Sequence, residues 1–397
     1  MIFLDEWFWI FASIVLPGFW LCPKRMKLVW LLLASAVFHY HFAGPAGMAP
    51  IIILGILTYG TGLAVAGGRA PRLFALMCTL IVGALAFYKY SDFAVASVAS
   101  GLAAVGVASL PAAISGWHQP VAPLAISFFT FEFVHYLYEV RVHGREPIRN
   151  PLHFGIFAIF FPSLASGPIK RFPDFIPQLR ELENPSVERV LAGARRVIRG
   201  MFKKVCIADL LVEFIVVFED VPEYTPMVVV GLAVLQGFRI YYDFAGYSDM
   251  AIGLAQMLNL TIPENFDRPY FSTSLQEFWR RWHMSLSSWI RDYIYIPLGG
   301  NRRRRGVNLL AAMILCGLWH GAAWNFALWG LFHGLGLGLE GSIRRWRPAW
   351  FEDRWYWNGA RWLGCYGFVT YGWLLFFYPA STVWQMTVGP IGWLLHL

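Results

Sequence analysis

Two histidines stand inside strongly apolar sequence. His283 lies in Glu277-Phe-Trp-Arg-Arg-Trp-His-Met-Ser-Leu-Ser287 and His320 in Cys316-Gly-Leu-Trp-His-Gly-Ala-Ala-Trp-Asn325. Between them run Pro297-Leu-Gly-Gly-Asn301 and four arginines, Arg302, Arg303, Arg304 and Arg305. An ionisable side chain at membrane depth is costly and marks function by default, and imidazole is the side chain that exchanges a proton near neutral pH. A neutral imidazole at 320 is suited to general-base work. It takes the proton of an acceptor hydroxyl as that oxygen attacks an acyl carbonyl, a role that contributes about 10²–10⁴-fold in rate. The plainer alternative for His320 is a hydrogen-bonded histidine within a packed bundle. For His283 the alternatives are orienting a substrate or stacking rather than carrying a proton.

The remaining chemistry-bearing residues form no second constellation. His333 follows His320 by 13 residues and does not share its helix face at about 100° per residue, so a structural role is expected. His39 and His41 flank Tyr40 and lack further metal ligands. His118, His135, His143, His153 and His396 are isolated. The five cysteines (Cys22, Cys78, Cys206, Cys316, Cys365) contain no C-x-x-C pair, so neither zinc nor a disulfide framework is expected, and no metal site is assigned. A phosphate-cradling Walker loop and a G-x-S-x-G elbow are both missing. Asp243 and Asp249 flank Gly246 in an apolar stretch. They read either as a buried carboxylate pair for ion movement or, more plainly, as a helix break with internal hydrogen bonds.

Of the 397 residues, 57% are hydrophobic, 17% aromatic and only 14% charged, against about 25% charged in soluble domains. The apolar runs are continuous rather than alternating, which selects helices over a barrel. The expected class is an all-α polytopic membrane protein. The net charge of +8 reads as basic cytoplasmic loops; the soluble grooves that nucleic-acid binding needs are missing. Met1-Ile-Phe-Leu-Asp5-Glu6 lacks a signal-peptide start, so the first apolar run is expected to remain as a helix.

Candidate spans are 7–22, 27–43, 48–66, 73–90, 93–115, 121–140, 205–220, 226–258, 307–323, 324–340, 361–379 and 382–397. They belong to a single membrane-embedded domain, 1–397, with N-terminal spans in 1–120, a core in 121–340 and C-terminal spans in 341–397. Lys24, Arg25 and Lys27 place the first loop inside, as do Arg69 and Arg72 for the third. Segment 170–204 carries nine Lys and Arg, from Lys170 to Lys204, and reads as a cytoplasmic amphipathic stretch. To keep Arg141, Arg145 and Arg149 inside, 93–115 should not cross fully, and Phe154–Ile169 should be re-entrant. A helix starting at Arg305 rises about 22 Å by His320, near or past the midplane of a core about 30 Å thick. Residues 307–340 therefore read as a buried hairpin carrying His320 into the membrane.

Leu275–Ser288 is expected to be one helix with Trp279 and His283 on a shared face. Trp279, Trp282, Trp319 and Asn325 flank the histidines and are candidates to support a substrate tunnel. Arg302–Arg305 set topology and are also placed to attract a phosphate-rich donor.

Several long stretches, in order, resemble the membrane-bound O-acyltransferase family. They are Pro123-Leu-Ala-Ile-Ser-Phe-Phe-Thr-Phe131, Phe161-Pro-Ser-Leu-Ala-Ser-Gly-Pro-Ile169, Tyr242-Asp-Phe-Ala-Gly-Tyr-Ser-Asp-Met-Ala-Ile-Gly253, Pro263-Glu-Asn-Phe-Asp-Arg-Pro-Tyr270, Phe278-Trp-Arg-Arg-Trp-His-Met-Ser-Leu-Ser287, Asp292-Tyr-Ile-Tyr-Ile-Pro-Leu-Gly-Gly-Asn-Arg302 and Gly317-Leu-Trp-His-Gly321. They cover roughly 120–340 and are most similar to the branch that includes bacterial alginate O-acetylation proteins, related to proteins of teichoic-acid D-alanylation. The resemblance implies that His320 is the active-site histidine and His283 the second histidine of this branch. It also implies a ring of about 11–12 transmembrane and re-entrant helices around a central tunnel in a multi-pass inner-membrane protein.

Function then divides three ways. In the first, acetyl moves from cytoplasmic acetyl-CoA, a substrate and not a bound cofactor, to an extracytoplasmic polysaccharide, with a partner of the SGNH-hydrolase type. In the second, a D-alanyl or other acyl group comes from a carrier protein. In the third, the chain is a transporter or export component; no internal repeat of the kind such proteins carry is evident.

Overall fold

The structure is a computed structural model and describes residues 2–107, 120–164, 166–343 and 355–395. His118, His396, the end of the 93–115 segment and the last residues of 382–397 lie outside the described residues. Among those described, all regular structure is helical. The helices are α1 (Glu6–Leu21), α2 (Lys27–Val65), α3 (Pro71–Ala104), α4 (Ile126–Arg141), α5 (Pro151–Ile159), α6 (Phe172–Arg180), α7 (Val187–Met201), α8 (Asp209–Glu219), α9 (Pro226–Met257), α10 (Leu275–Arg281), α11 (Met284–Ile290), α12 (Arg305–His320), α13 (Trp324–Ile343), α14 (Trp355–Phe377) and α15 (Ala380–Leu395).

Expected spans and observed helices agree where Gly and Pro punctuate the chain. The expected breaks after 43 and 66 are present: α2 kinks at Gly44, whose φ of 65° lies in the left-handed region, with Pro45 restarting the helix. The break between 73–90 and 93–115 is not. α3 runs unbroken for 34 residues, because Ser91 and Asp92 are polar but compatible with a helix, and neither Gly nor Pro stands there. α4 begins at Ile126, after Pro123 and a left-handed Ala125. The nine-residue α5 gives way to turns at 161–164 and is too short to cross a bilayer.

Among the described residues, three segments are long and apolar enough to cross a membrane: Lys24–Gly68, Pro71–Ala104 and Pro226–Met257. Their exteriors carry large apolar side chains. Ile53, Ile56, Leu76, Val82 and Val230 are all at least 51% exposed. In water such a surface drives aggregation; against lipid it costs nothing.

The chain forms two compact units, Met1–Arg195 with Ala251–Ile262, and Arg196–Met250 with Pro263–Leu397. In the first, α2 packs on α3, α4 and α5 around fully buried Phe38, Phe129, Phe133, Tyr136 and Phe157. Lys170, read from sequence as part of a cytoplasmic amphipathic stretch, is 2% exposed and paired with buried Glu132. Burying either charge alone costs several kcal/mol, so each accounts for the other. In the second unit, Ile215, Val229, Leu232, Leu374, Val383 and Met386 from α8, α9, α14 and α15 form one apolar cluster. The α12/α13 hairpin with α10, α11 and α14 forms the rest.

Candidate active site

His320 is the last residue of α12 and sits at the tip of the α12/α13 hairpin, half-buried. Two glycines let these helices approach. A Cβ at Gly317 would stand 2.1 Å from the Phe326 carbonyl oxygen, and one at Gly330 would stand 2.3 Å from that of Met313. Small residues at such crossings are how helices pack closely in membranes. The hairpin expected over 307–340 is therefore present, and its close packing fixes where the His320 ring points. That ring contacts Trp319 at 4.8 Å, Phe376 at 5.1 Å and Trp329 at 5.6 Å between centroids.

His283 is placed differently from the expectation. Leu275–Ser288 is not one helix. α10 ends at Arg281, Trp282 is extended, and His283 adopts a left-handed backbone (φ 42°, ψ 54°) before α11. Trp279 and His283 are therefore not i, i+4 neighbours on one face. Such a conformation is uncommon for a non-glycine residue and collects at functional sites. Here the segment after Pro263 holds the break together. Met284 N donates to Asn265 O at 2.9 Å, and Asp267 N to Arg281 O at 3.0 Å. His283 is 2% exposed, with Phe244 edge-on at 4.5 Å and its Nδ1 3.3 Å from Asn265 Oδ1. The break turns the His283 ring toward the hairpin tip, 6.0 Å from Trp319 and 6.4 Å from His320.

A cavity of about 890 Å³ is lined by neighbours of both histidines in the chain, though by neither histidine itself. Its walls include Met284, next to His283, and Cys316, one helical turn before His320. Arg280, Arg291 and Arg305 give it a cationic lining, with Glu340 opposing. Arg291 is offset by Asp292 at 2.7 Å, and the Glu340 carboxylate accepts from Leu275 N and Gln276 N at 2.9 and 3.1 Å. Among the described residues, Arg280 and Arg305 line the cavity with no ion-pair partner.

The other sequence candidates divide. Trp319 stands against both histidines. Trp279 lines the cavity and packs on Trp329 and His333. Trp282 belongs to an aromatic core with Phe278, Phe266 and Trp373. Asn325 donates to Phe376 O at 3.2 Å, tying α13 to α14. Of the four arginines only Arg305 lines the cavity; Arg302, Arg303 and Arg304 are exposed. His333 is fully buried among Trp279, Trp329 and Phe368. Asn265, Arg280 and Glu340 were not singled out as site residues. Asn265 stood within a quoted motif, but a lone asparagine carries no sign of the histidine that it will meet.

Gly246 does not break α9, contrary to expectation; the helix runs through it. It permits a close approach instead: a Cβ at Gly200 would stand 2.5 Å from Gly246 O. Asp243 pairs with Lys204 at 2.7 Å. Asp249 pairs with Arg196, Lys203 and Arg199 at 2.9, 2.7 and 3.3 Å. The two carboxylates are separate ion-pair partners, not a pair with each other. Among the described residues no group of three or more His, Cys, Asp or Glu is placed to hold a metal ion.

The model of the MBOAT, membrane-bound O-acyltransferase, family matches residues 115–382. A protein of Azotobacter vinelandii described as a probable alginate O-acetylase AlgI is 34% identical over 391 residues, covering 95% of this chain and 75% of its own length. The peptidoglycan O-acetyltransferase of Helicobacter pylori is 33% identical over 352 residues, 80% of this chain and 65% of that protein. The teichoic acid D-alanyltransferase of Bacillus subtilis is 28% identical over 257 residues, 60% of this chain and 64% of that protein.

Proposed function

Because this chain belongs to the membrane-bound O-acyltransferase family and is an acyltransferase, we propose that it moves acetyl from cytoplasmic acetyl-CoA for O-acetylation of an extracytoplasmic polysaccharide. The observation that carries this reading is the convergence of His283 and His320, whose neighbours in the chain line a cationic cavity. Coenzyme A is rich in phosphate, and guanidinium groups bind phosphate well. Arg280 and Arg305 would hold the donor while its thioester reaches past Cys316 and Met284 toward the rings.

His320 then acts as general base. The acceptor hydroxyl gives its proton to the imidazole, its oxygen bonds to the acyl carbon, and the carbon–sulfur bond breaks with its electron pair going to sulfur. The thiolate takes up the proton and leaves as free thiol. Trp319 and Trp329 hold the His320 ring in place. The acceptor arrives from the opposite side of an inner membrane that the chain crosses several times, presented by a partner of the SGNH-hydrolase type.

Acetylation is favoured over D-alanylation by the identity and coverage of the O-acetylating relatives. A D-alanyl donor on a carrier protein remains the second reading, on the strength of the Bacillus subtilis likeness. Permeation loses its motive, since Asp243 and Asp249 are each paired with cations.

The test is His320→Ala in the producing cell. Polymer acetylation should disappear while the protein still inserts; acetylation at the wild-type level would remove His320 from the mechanism. Binding of labelled acetyl-CoA to the purified protein, against a D-alanyl-loaded carrier, separates the two donors.

A further inference from the structure

Asn265 is fully buried, as are its neighbours Ser248, His283 and Ser285, each under 5% exposed. Every polar atom of its side chain is engaged. The amide Nδ2 donates to Ser248 Oγ at 3.0 Å. Oδ1 accepts from Ser285 Oγ at 2.7 Å and faces the Ser285 backbone N at 3.4 Å. His283 Nδ1 lies 3.3 Å from the same Oδ1.

An asparagine amide can be placed either way round, and its orientation must be decided from its partners. Here a backbone N–H decides it. Ser285 N can only donate, so the atom that it faces is the oxygen. With Oδ1 fixed as an acceptor, the His283 nitrogen facing it must carry the proton, because a neutral imidazole has one donor and one acceptor nitrogen. Nε2, on the other side of the ring, is then the lone-pair nitrogen.

We propose that Asn265, held by Ser248 and Ser285, is a positioning residue that locks His283 in its Nδ1–H tautomer, so that Nε2 keeps a lone pair that stabilises the imidazolium formed when His320 takes the acceptor's proton. The inference rests on His283 taking part in the reaction. The opposite tautomer would replace that lone pair by an N–H, which repels the positive charge forming at His320. The left-handed backbone at His283 serves the same end. It swings the ring back over the 263–267 segment, whose Asn265 O also accepts from Met284 N. Backbone and side chain of one residue thus fix both the turn and the ring that it carries.

The test uses the full-length protein in lipid nanodiscs, ¹⁵N-labelled at histidine, with the His283 signals identified by difference against His283→Ala. Wild type should give the Nδ1-protonated neutral pattern. Asn265→Leu, of similar volume but without an acceptor, should shift His283 toward the other tautomer. It should also lower kcat on the order of 10²-fold with little change in donor KM, the scale of a misplaced acid–base group. Asn265→Asp keeps an acceptor at Nδ1 and should retain the tautomer and restore much of kcat.

An Nε2-protonated pattern in wild type, or a pattern and kcat unmoved in Asn265→Leu, overturns the proposal. If Asn265→Leu does not fold, Asn265→Ala removes the same acceptor with less steric demand and should likewise release the tautomer; a single unchanged tautomer there counts against the proposal equally. His283→Ala distinguishes the two levels. Full activity in that variant removes the role of His283 itself. Lost activity there, with Asn265→Leu indistinguishable from wild type, overturns the positioning role alone.

Discussion

The His283 and His320 rings lie 6.4 Å apart between centroids. They come from different elements: one from the break between α10 and α11, the other from the tip of the α12/α13 hairpin. At that separation the two imidazoles do not share a direct hydrogen bond, which needs nitrogens within about 3 Å. The rings are close enough for both to serve one proton transfer, in which His320 takes the proton and His283 faces the charge that forms. Groups that serve one step act as a unit, and their losses do not add. His320→Ala and His283→Ala should each lower transfer by on the order of 10²-fold or more. The double variant should be no worse than the poorer single one. Acetyl transfer in membranes from the four strains checks this; multiplying losses would show that the rings act on separate steps.

The cavity predicts which arginines matter for the donor. Arg305 lines it and rests against Gly341, while Arg303 is exposed and away from it. A charge-assisted hydrogen bond contributes about 1.5–3 kcal/mol, so Arg305→Glu should raise donor KM by on the order of tenfold or more, with kcat less affected. Arg303→Glu should leave KM near wild type. The KM of the wild-type enzyme should also rise with salt, since exposed charges are screened. Equal effects from the two substitutions would mean that the basic run attracts the donor as a whole.

The contrast between Arg303 and Arg305 also marks how far the sequence could be read. Helices delimited by Gly and Pro and the hairpin that carries His320 followed from apolar periodicity. The continuity of α3 through Ser91 and Asp92 did not, because polar residues resemble a loop when their neighbours are unknown. The break at His283 was missed for a related reason. Glu277 to Ser287 has good helical composition, and what overrides it is the Asn265 segment, 18 residues earlier. The burial of Lys170 could not be read from its basic stretch because its partner, Glu132, is 38 residues away. Local pattern reports local structure. The pairing of distant polar groups, which builds this site, is set only when the chain folds.

The hairpin gives a prediction about stability and activity together. A methyl at Gly317 would meet the backbone oxygen of Phe326 at 2.1 Å, and backbone has no rotamer with which to yield. Gly317→Ala must therefore push α12 and α13 apart. Overpacking costs about 1–3 kcal/mol, and the His320 ring, three residues on, moves with the helix. Both the midpoint of thermal unfolding in detergent and the transfer rate should fall. Gly338 on α13 has nothing within 4 Å of its would-be Cβ, so Gly338→Ala should be neutral or slightly stabilising through helix propensity. Matching behaviour of the two variants would show that the α12/α13 packing is looser than the glycine contacts imply.

Arg196 offers a controlled comparison of buried and exposed ion pairs, since one guanidinium meets two carboxylates. The Asp249 side chain is 7% exposed and also receives Lys203, while Glu264 is 53% exposed. Removing the buried partner leaves Arg196 with Glu264 alone and takes its carboxylate from Lys203, whose side chain is 22% exposed, and breaking a buried pair costs about 3–5 kcal/mol. A solvent-exposed pair contributes about 1 kcal/mol at most. Asp249→Asn should therefore lower the unfolding midpoint well below that of Glu264→Gln, despite the two hydrogen bonds that Glu264 accepts from Arg196. The difference should persist at high salt, because a buried pair is screened much less than an exposed one. If the two variants unfold together, the Asp249 cluster is hydrated, and its carboxylate would again be free to serve the movement of protons or ions.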